Sequence, residues 1–161
     1  MMFSTPALAD VSARSARRKL IAVSIPDELY INNHDVTLPL PGLRLGYQAH
    51  KVMLVEVGVA YIPMPYGASV ALAHVGGRYL LTDTRFAPYV FARVGAFFGD
   101  PDEGDGGTYP FGAAGLGLEL AATGGFAAWA ELGPGLASFE QFDERTTELA
   151  LFVSVGLGYR F

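Results

Sequence analysis

Three histidines and a handful of serines are the side chains best placed to do covalent chemistry in this chain. A serine hydroxyl attacks a carbonyl once a histidine removes its proton and an acid orients the ring. His34 falls in a long polar connection, His50 in a short turn and His74 inside an apolar run. Ser24, Ser69, Ser138 and Ser154 have no evident histidine partner in sequence, and two residues beyond His74 stands Gly76 rather than a serine. His74 is therefore read as a structural histidine, and no catalytic residue is assigned. Cysteine is absent, which removes thiolate nucleophiles, disulfides and Cys-based metal sites. The run at residues 100–107 holds Asp100, Asp102, Glu103 and Asp105, oxygen ligands of the kind that Ca²⁺ and Mg²⁺ take. Their spacing is not that of an EF-hand loop, so the run reads as a solvated acidic loop, with no metal or cofactor expected.

Eight further charged residues stand inside otherwise apolar or small-residue stretches: Arg44, Glu56, Arg78, Arg93, Glu119, Glu131, Glu148 and Arg160. The elements that carry them explain why. In residues 149–161 every odd position is apolar: Leu149, Leu151, Val153, Val155, Leu157, Tyr159 and Phe161. The even positions from Glu148 to Arg160 are small, polar or charged, Phe152 apart. Alternation with period two marks a β-strand. Its length exceeds the about 5–6 residues common in soluble proteins and suits a tilted membrane strand of about 9–11 or more. The same pattern recurs over residues 125–139, 110–121, 86–99, 52–62 and 43–48. A shorter strand at 19–25 places Ile21, Val23 and Ile25 on one face. Residues 69–81 lose the phase between His74 and Gly77, where the Gly76-Gly77 pair is expected to hold a β-bulge. The prediction is eight antiparallel strands.

The connections support that architecture. Counting back from the C-terminus, residues 139–147 read as a long loop, 121–124 as a tight turn, 99–108 as long and 82–85 as short. Residues 63–68 are intermediate, 49–51 tight and 26–42 longest. Short turns on one side and longer loops on the other are the habit of an up-and-down transmembrane barrel.

Charge decides which face points where. The apolar faces of the six well-phased strands carry no charge, and the strand charges lie on the opposite faces. An arginine facing lipid costs about 2–4 kcal/mol at the bilayer midplane, so the charged faces must line the lumen. Four arginines and four glutamates there predict a structural ion-pair network, because buried charges must be paired. Counting from the tight turns puts Glu119, Arg160, Arg78 and Glu56 low and Arg44, Arg93 and Glu131 midway, with Arg93 the favoured partner of Glu131. The intervening glycines and alanines leave room for these long side chains, and an eight-stranded barrel is narrow enough to be filled by them. Outward aromatics fall into two groups, Tyr61 and Phe98 near one end, and Tyr47, Phe126, Tyr159 and Phe161 near the other. Two such girdles are expected of a membrane barrel.

Composition agrees. The chain of 161 residues fits one domain, and its net charge of −5 without a basic stripe argues against a nucleic-acid partner. No run approaches the roughly 20 apolar residues of a membrane helix. Residues 1–18 form an N-terminal segment in which Pro6-Ala7-Leu8-Ala9 looks like the end of a secretory signal. Arg14, Arg17, Arg18 and Lys19 flank the first strand, as a solvated basic cluster or a contact for anionic lipid. Residues 19–161 form the barrel.

The strand that ends Val153, Val155, Leu157, Tyr159, Phe161 resembles the C-terminal β-signal of bacterial outer-membrane proteins. Segments 88–95 and 112–119 are similar in style to the eight-stranded barrels related to the OmpA transmembrane domain and OmpX. The resemblance covers residues 19–161 as a pattern. It implies an outer-membrane location, contact with lipid and lipopolysaccharide, and insertion by the barrel assembly machinery. Asp100–Asp105 with Glu140, Asp143 and Glu144 would then give an acidic outer rim that divalent ions bridge to lipopolysaccharide phosphates. The expected role is structural or in surface interaction, with a plugged lumen. A narrow pore for small solutes is the first alternative, and a lipid A-modifying enzyme the second. A soluble lipocalin-like carrier would need its apolar face inside, which the charges oppose.

Overall fold

The computed structural model describes residues 18–24, 29–31, 41–63, 69–100, 107–141 and 144–161. The signal-like stretch, His34, Asp143 and acidic residues 101–106 lie outside the described residues. The strands are β1 (Lys19–Ser24), β2 (Leu29–Ile31), β3 (Gly42–His50), β4 (Met53–Pro63), β5 (Ser69–Leu80), β6 (Phe86–Asp100), β7 (Gly107–Ala121), β8 (Phe126–Gln141) and β9 (Glu144–Arg160). Each pairs antiparallel with its neighbours, and β1 closes the sheet on β9. β1 and β2 lie along the same edge of β9, Ser24 opposite Gly156 and Leu29 opposite Val153, so they are two pieces of one barrel strand. The result is a closed, eight-stranded antiparallel barrel. At the terminal rim the Lys19 N–H donates to the Phe161 carbonyl at 3.1 Å, and the Phe161 N–H donates to the Lys19 carbonyl at 2.9 Å.

Period-two alternation decides the wall. Val94 and Leu157 are 60% and 69% exposed on the outside, and their strand neighbours Arg93 and Gly156 are buried. The outer face between the rims is a continuous belt of Val, Leu and Ile with alanines between them. A belt of this extent far exceeds the apolar patches that water-facing surfaces carry. Around the terminal rim stand Tyr47, Tyr79, Phe86, Phe126, Tyr159 and Phe161, and near the far rim Tyr61 and Phe98, all exposed. Phe126 meets Tyr159 edge-on at 5.3 Å, and the Lys19 ammonium lies over the Phe161 ring.

Three expectations about the strands are corrected. No bulge occurs in β5: it pairs residue for residue with β4 and β6, and Leu72, His74, Gly76, Arg78 and Leu80 all point inward. The alternation was hidden because Gly76 and Gly77 have no side chain to mark a face. The bulge lies instead at the tight turn, between Gln48 and His50 on β3. Residues 139–147 are not a long loop, since β8 and β9 stay paired out to Gln141 opposite Glu144. Residues 139–141 and 144–147 instead extend the two paired strands past the apolar belt, where Ser138 and Thr147 hydrogen-bond at 3.0 Å. The connection at 26–42 contains β2.

Pro134, in the middle of β8, has no N–H to give the ladder. The pairing to β7 accordingly passes from Leu116–Leu132 to Ala113–Gly135 without a change of register. Gly115 and Gly133 lie backbone to backbone at that step, where a Cβ on either would strike the other strand.

The outward position of Val94 makes a sharp test of this orientation. Val94→Arg should destabilise the barrel by about 2–4 kcal/mol if it sits near the bilayer midplane. Reversible denaturant unfolding in lipid vesicles measures it, and an unchanged midpoint would contradict the assignment.

Candidate functional site

The inward residues of the barrel form layers, and the middle one is charged. Arg44 on β3, Glu56 on β4, Arg78 on β5, Arg93 on β6 and Glu131 on β8 meet in the lumen. Glu131 is 2.9 Å from Arg44, 3.1 Å from Arg78 and 2.7 Å from Arg93. Glu56 is 3.5 Å, 2.9 Å and 3.1 Å from the same three guanidiniums. Each arginine therefore touches both carboxylates. Tyr89 on β6 donates its hydroxyl to Glu131 at 2.9 Å, and Arg44 donates to the Ser154 hydroxyl on β9 at 2.7 Å. Side chains from six strands thus converge, and the five charged ones are buried to within a few per cent.

Glycine makes the convergence possible. Glu56, Gly76 and Arg93 lie side by side across β4, β5 and β6, so the acid and the base meet over a strand that presents no side chain. Tyr89, Gly117 and Glu131 repeat the arrangement across β6, β7 and β8. A methyl group at Gly117 would run into the Tyr89 ring, and one at Gly156 into the Trp129 indole. The indole fills the space beneath the cluster, with the Arg78 guanidinium 4.5 Å from its ring centre and that of Arg44 at 5.8 Å. A guanidinium over an aromatic face gains cation–π attraction that is strongest when both are desolvated.

A smaller polar layer lies towards the terminal rim. Arg160 donates through one nitrogen to both Glu119 oxygens, at 2.8 and 2.7 Å, and through the other to Gln48 at 2.6 Å. Gln48 in turn donates to the His50 and Lys51 carbonyls in the tight turn. Buried Leu20, Leu54 and Leu80 line the same end. Beyond the middle cluster, towards the far rim, Phe97 and Phe111 are 5.0 Å apart and Phe111 and Phe152 stack at 5.7 Å. Apolar side chains therefore flank the charges on both sides along the axis.

Of the eight charged positions singled out in the sequence, five are joined in the middle cluster and two, Glu119 and Arg160, in the lower pair. Glu148 is half-buried on the same face of β9 but further towards the far rim, opposite Ala137. Glu56 and Arg78 do not lie in the lower layer, as turn counting placed them, but in the middle one. Strand tilt and stagger carry residues at different distances from their turns to one height. Tyr89, Trp129, Ser154 and Gln48 were not singled out as partners, although each occupies an inward-facing position in the alternation. Four of the serine and histidine candidates are also placed. His74 is buried between Gly58 on β4 and Gly95 on β6, and His50 is exposed beside the turn. Ser154 is held by Arg44 and Ser138 bonds Thr147, so their hydroxyls serve the barrel wall and lumen.

Solved structures share this fold. The N-terminal β-barrel domain of Pseudomonas aeruginosa OprF matches with a TM-score of 0.65 and 16% identity, over 90% of this chain and 98% of that one. Neisserial surface protein A matches with a TM-score of 0.64 and 14% identity, over 89% and 97%. The Yersinia pestis outer membrane protein Ail, determined in a phospholipid bilayer nanodisc, matches with 0.52 and 14%, over 90% and 99%. At such identities the likeness is one of fold, the eight-stranded barrel of outer-membrane proteins. No protein-family model and no curated protein matches the chain.

The shared carboxylates predict strong coupling. Glu131→Ala leaves three arginines around Glu56 alone and should cost about 3–5 kcal/mol of barrel stability. Replacing Arg93 by methionine in the same molecule should restore part of that loss. Strictly additive losses in the double-mutant cycle, read from unfolding midpoints, would exclude the pairing.

Proposed function

We propose that the protein is an integral outer-membrane barrel with a structural or surface-interaction role, whose lumen is closed by its own ion-paired side chains. One observation carries this reading. The five charged groups of the middle cluster come from five strands, each arginine lies 2.7–3.5 Å from both carboxylates, and all are shut from solvent. A conducting pore needs a continuous water path, whereas here each guanidinium is already engaged by two carboxylates across the lumen. The lipid-facing belt and the aromatic rims support the membrane location, with the tight turns and both strand termini on the periplasmic side. Lipid and lipopolysaccharide are then its immediate surroundings. The non-enzymatic reading rests on His74 and Ser154 being enclosed within the barrel, Ser154 held by Arg44, rather than gathered at a rim.

Two measurements test it together. Outer-membrane protein extracted in detergent should migrate faster on a gel before boiling than after, as folded barrels do. In planar bilayers the same protein should show no steady conductance. Sustained channels would instead establish the narrow pore, and hydrolysed or acylated lipid A in the same membranes would establish an enzyme.

The assembly machinery is the proposed partner during biogenesis, reading Val153, Val155, Leu157, Tyr159 and Phe161 along β9. Phe161 also closes the seam to Lys19 through two backbone hydrogen bonds. Deleting it should lower the amount of inserted barrel in cells more than it lowers the unfolding midpoint of barrel refolded in vitro. Equal cellular levels with and without Phe161 would overturn the signal.

A further inference from the structure

We propose that the terminal rim seats an anionic phospholipid, its phosphate at Arg18 and Lys19 and one acyl chain in a groove of the wall beside them. Among the strand residues whose side chains are described, Lys19 is the one charge on the outward face. It stands between Tyr47 and Phe161 in the cross-strand row nearest the rim, and Ile21 and Val23 follow it on the same face. A lysine among rim aromatics holds its ammonium at the level of lipid headgroups while its stem lies on apolar surface. Arg18 is exposed next to it. The Arg18 carbonyl accepts the Gln48 N–H at 2.7 Å, which brings the turn bearing exposed Lys51 to the same corner. Arg85 is exposed in the turn before β6. Against these four cations, the described residues of the tight turns carry one side-chain carboxylate, Asp83. In a chain of net charge −5 this end is basic, and it complements a phosphodiester.

The wall beside this corner has room for the chain. Leu157, Ala128 and Leu120 form one outward row across β9, β8 and β7. Ala128 is the short side chain between two leucines, and a groove of about 510 Å³ opens there, bounded towards the rim by Ile21, Tyr159 and Phe126. Lys19 and Phe161 stand one row nearer the rim than Ile21 and Tyr159. A phosphate at Lys19 and a chain in the groove therefore fit a single molecule. The groove alone takes any hydrocarbon chain, and the cations beside it select the headgroup. The inference rests on the proposed membrane orientation, in which the tight turns are periplasmic, so the lipid is a phospholipid of the periplasmic leaflet.

Native mass spectrometry of the refolded barrel in detergent tests this, with phosphatidylglycerol and phosphatidylcholine of identical chains added in equal amounts. The barrel should retain phosphatidylglycerol in preference. Arg18→Gln with Lys19→Gln should lower that retention roughly 25-fold, since about 1 kcal/mol per basic residue at a membrane surface is about fivefold each. Both side chains are exposed and neither substitution removes a backbone hydrogen bond, so the barrel should still fold. Ala128→Leu, which fills the groove and leaves every charge in place, should lower the retention of both lipids. Equal retention of the two lipids by the unsubstituted chain overturns the proposal, as does a preference that survives the double substitution. Retention untouched by Ala128→Leu overturns the groove as the seat of the chain. Lipid A retained as well as phosphatidylglycerol, and lost with the same two charges, overturns the assignment to a phospholipid. Heat-modifiable migration of the same samples reports the barrel separately. A chain that shows none fails the membrane-barrel reading, whereas a folded barrel without lipid preference fails this inference alone.

Discussion

A chain that crosses lipid must satisfy every backbone N–H and C=O within the protein, since hydrocarbon offers no partner. Here the condition is met by closure of β1 and β2 on β9, with Lys19 and Phe161 exchanging the last hydrogen bonds at the terminal rim. Once the sheet closes it has no edge and only two faces. Each strand residue then meets either lipid or the lumen, and the choice alternates along the chain. The belt of valines and leucines outside and the arginines and glutamates inside both follow from that one constraint.

Closure also fixes how crowded the interior must be. Eight strands leave a space that side chains can fill, and the filling here is selective. Rings and long charged groups stand where the adjacent strand has glycine, as Trp129 does beside Gly156 and Tyr89 beside Gly117. Glu56 reaches Arg93 because Gly76 lies between them. The glycines weaken strands locally, but their absence of side chain is what brings partners from non-adjacent strands within hydrogen-bond reach. Abundant glycine in the strands and a charged lumen are thus one design seen from two sides.

The charges are in turn protected by what lies along the axis. Phe97, Phe111 and Phe152 cover the middle cluster on one side, and Leu20, Leu54 and Leu80 line the opposite end beyond the Arg160–Glu119 pair. Excluding water strengthens each ion pair and raises the cost of losing a partner.

By itself the sequence determined the faces. Side-chain direction in a strand has period two, a purely local property, so Val153 to Phe161 could be assigned outward and Glu131 and Arg93 inward from spacing and charge alone. It failed where the local signal was missing or ambiguous. Gly76 and Gly77 carry no side chain to show the phase of β5, and polar residues 139–147 look alike as loop or as hairpin beyond the membrane. What only the tertiary structure decided was height and partnership. Glu56, Arg78 and Glu131 lie at different distances from their turns, yet they share one layer because tilt and stagger are set by closure of the whole sheet. That Glu131 serves three arginines rather than one, and that Trp129 lies beneath them, depends on strands far apart in sequence and so could not be read from any one of them.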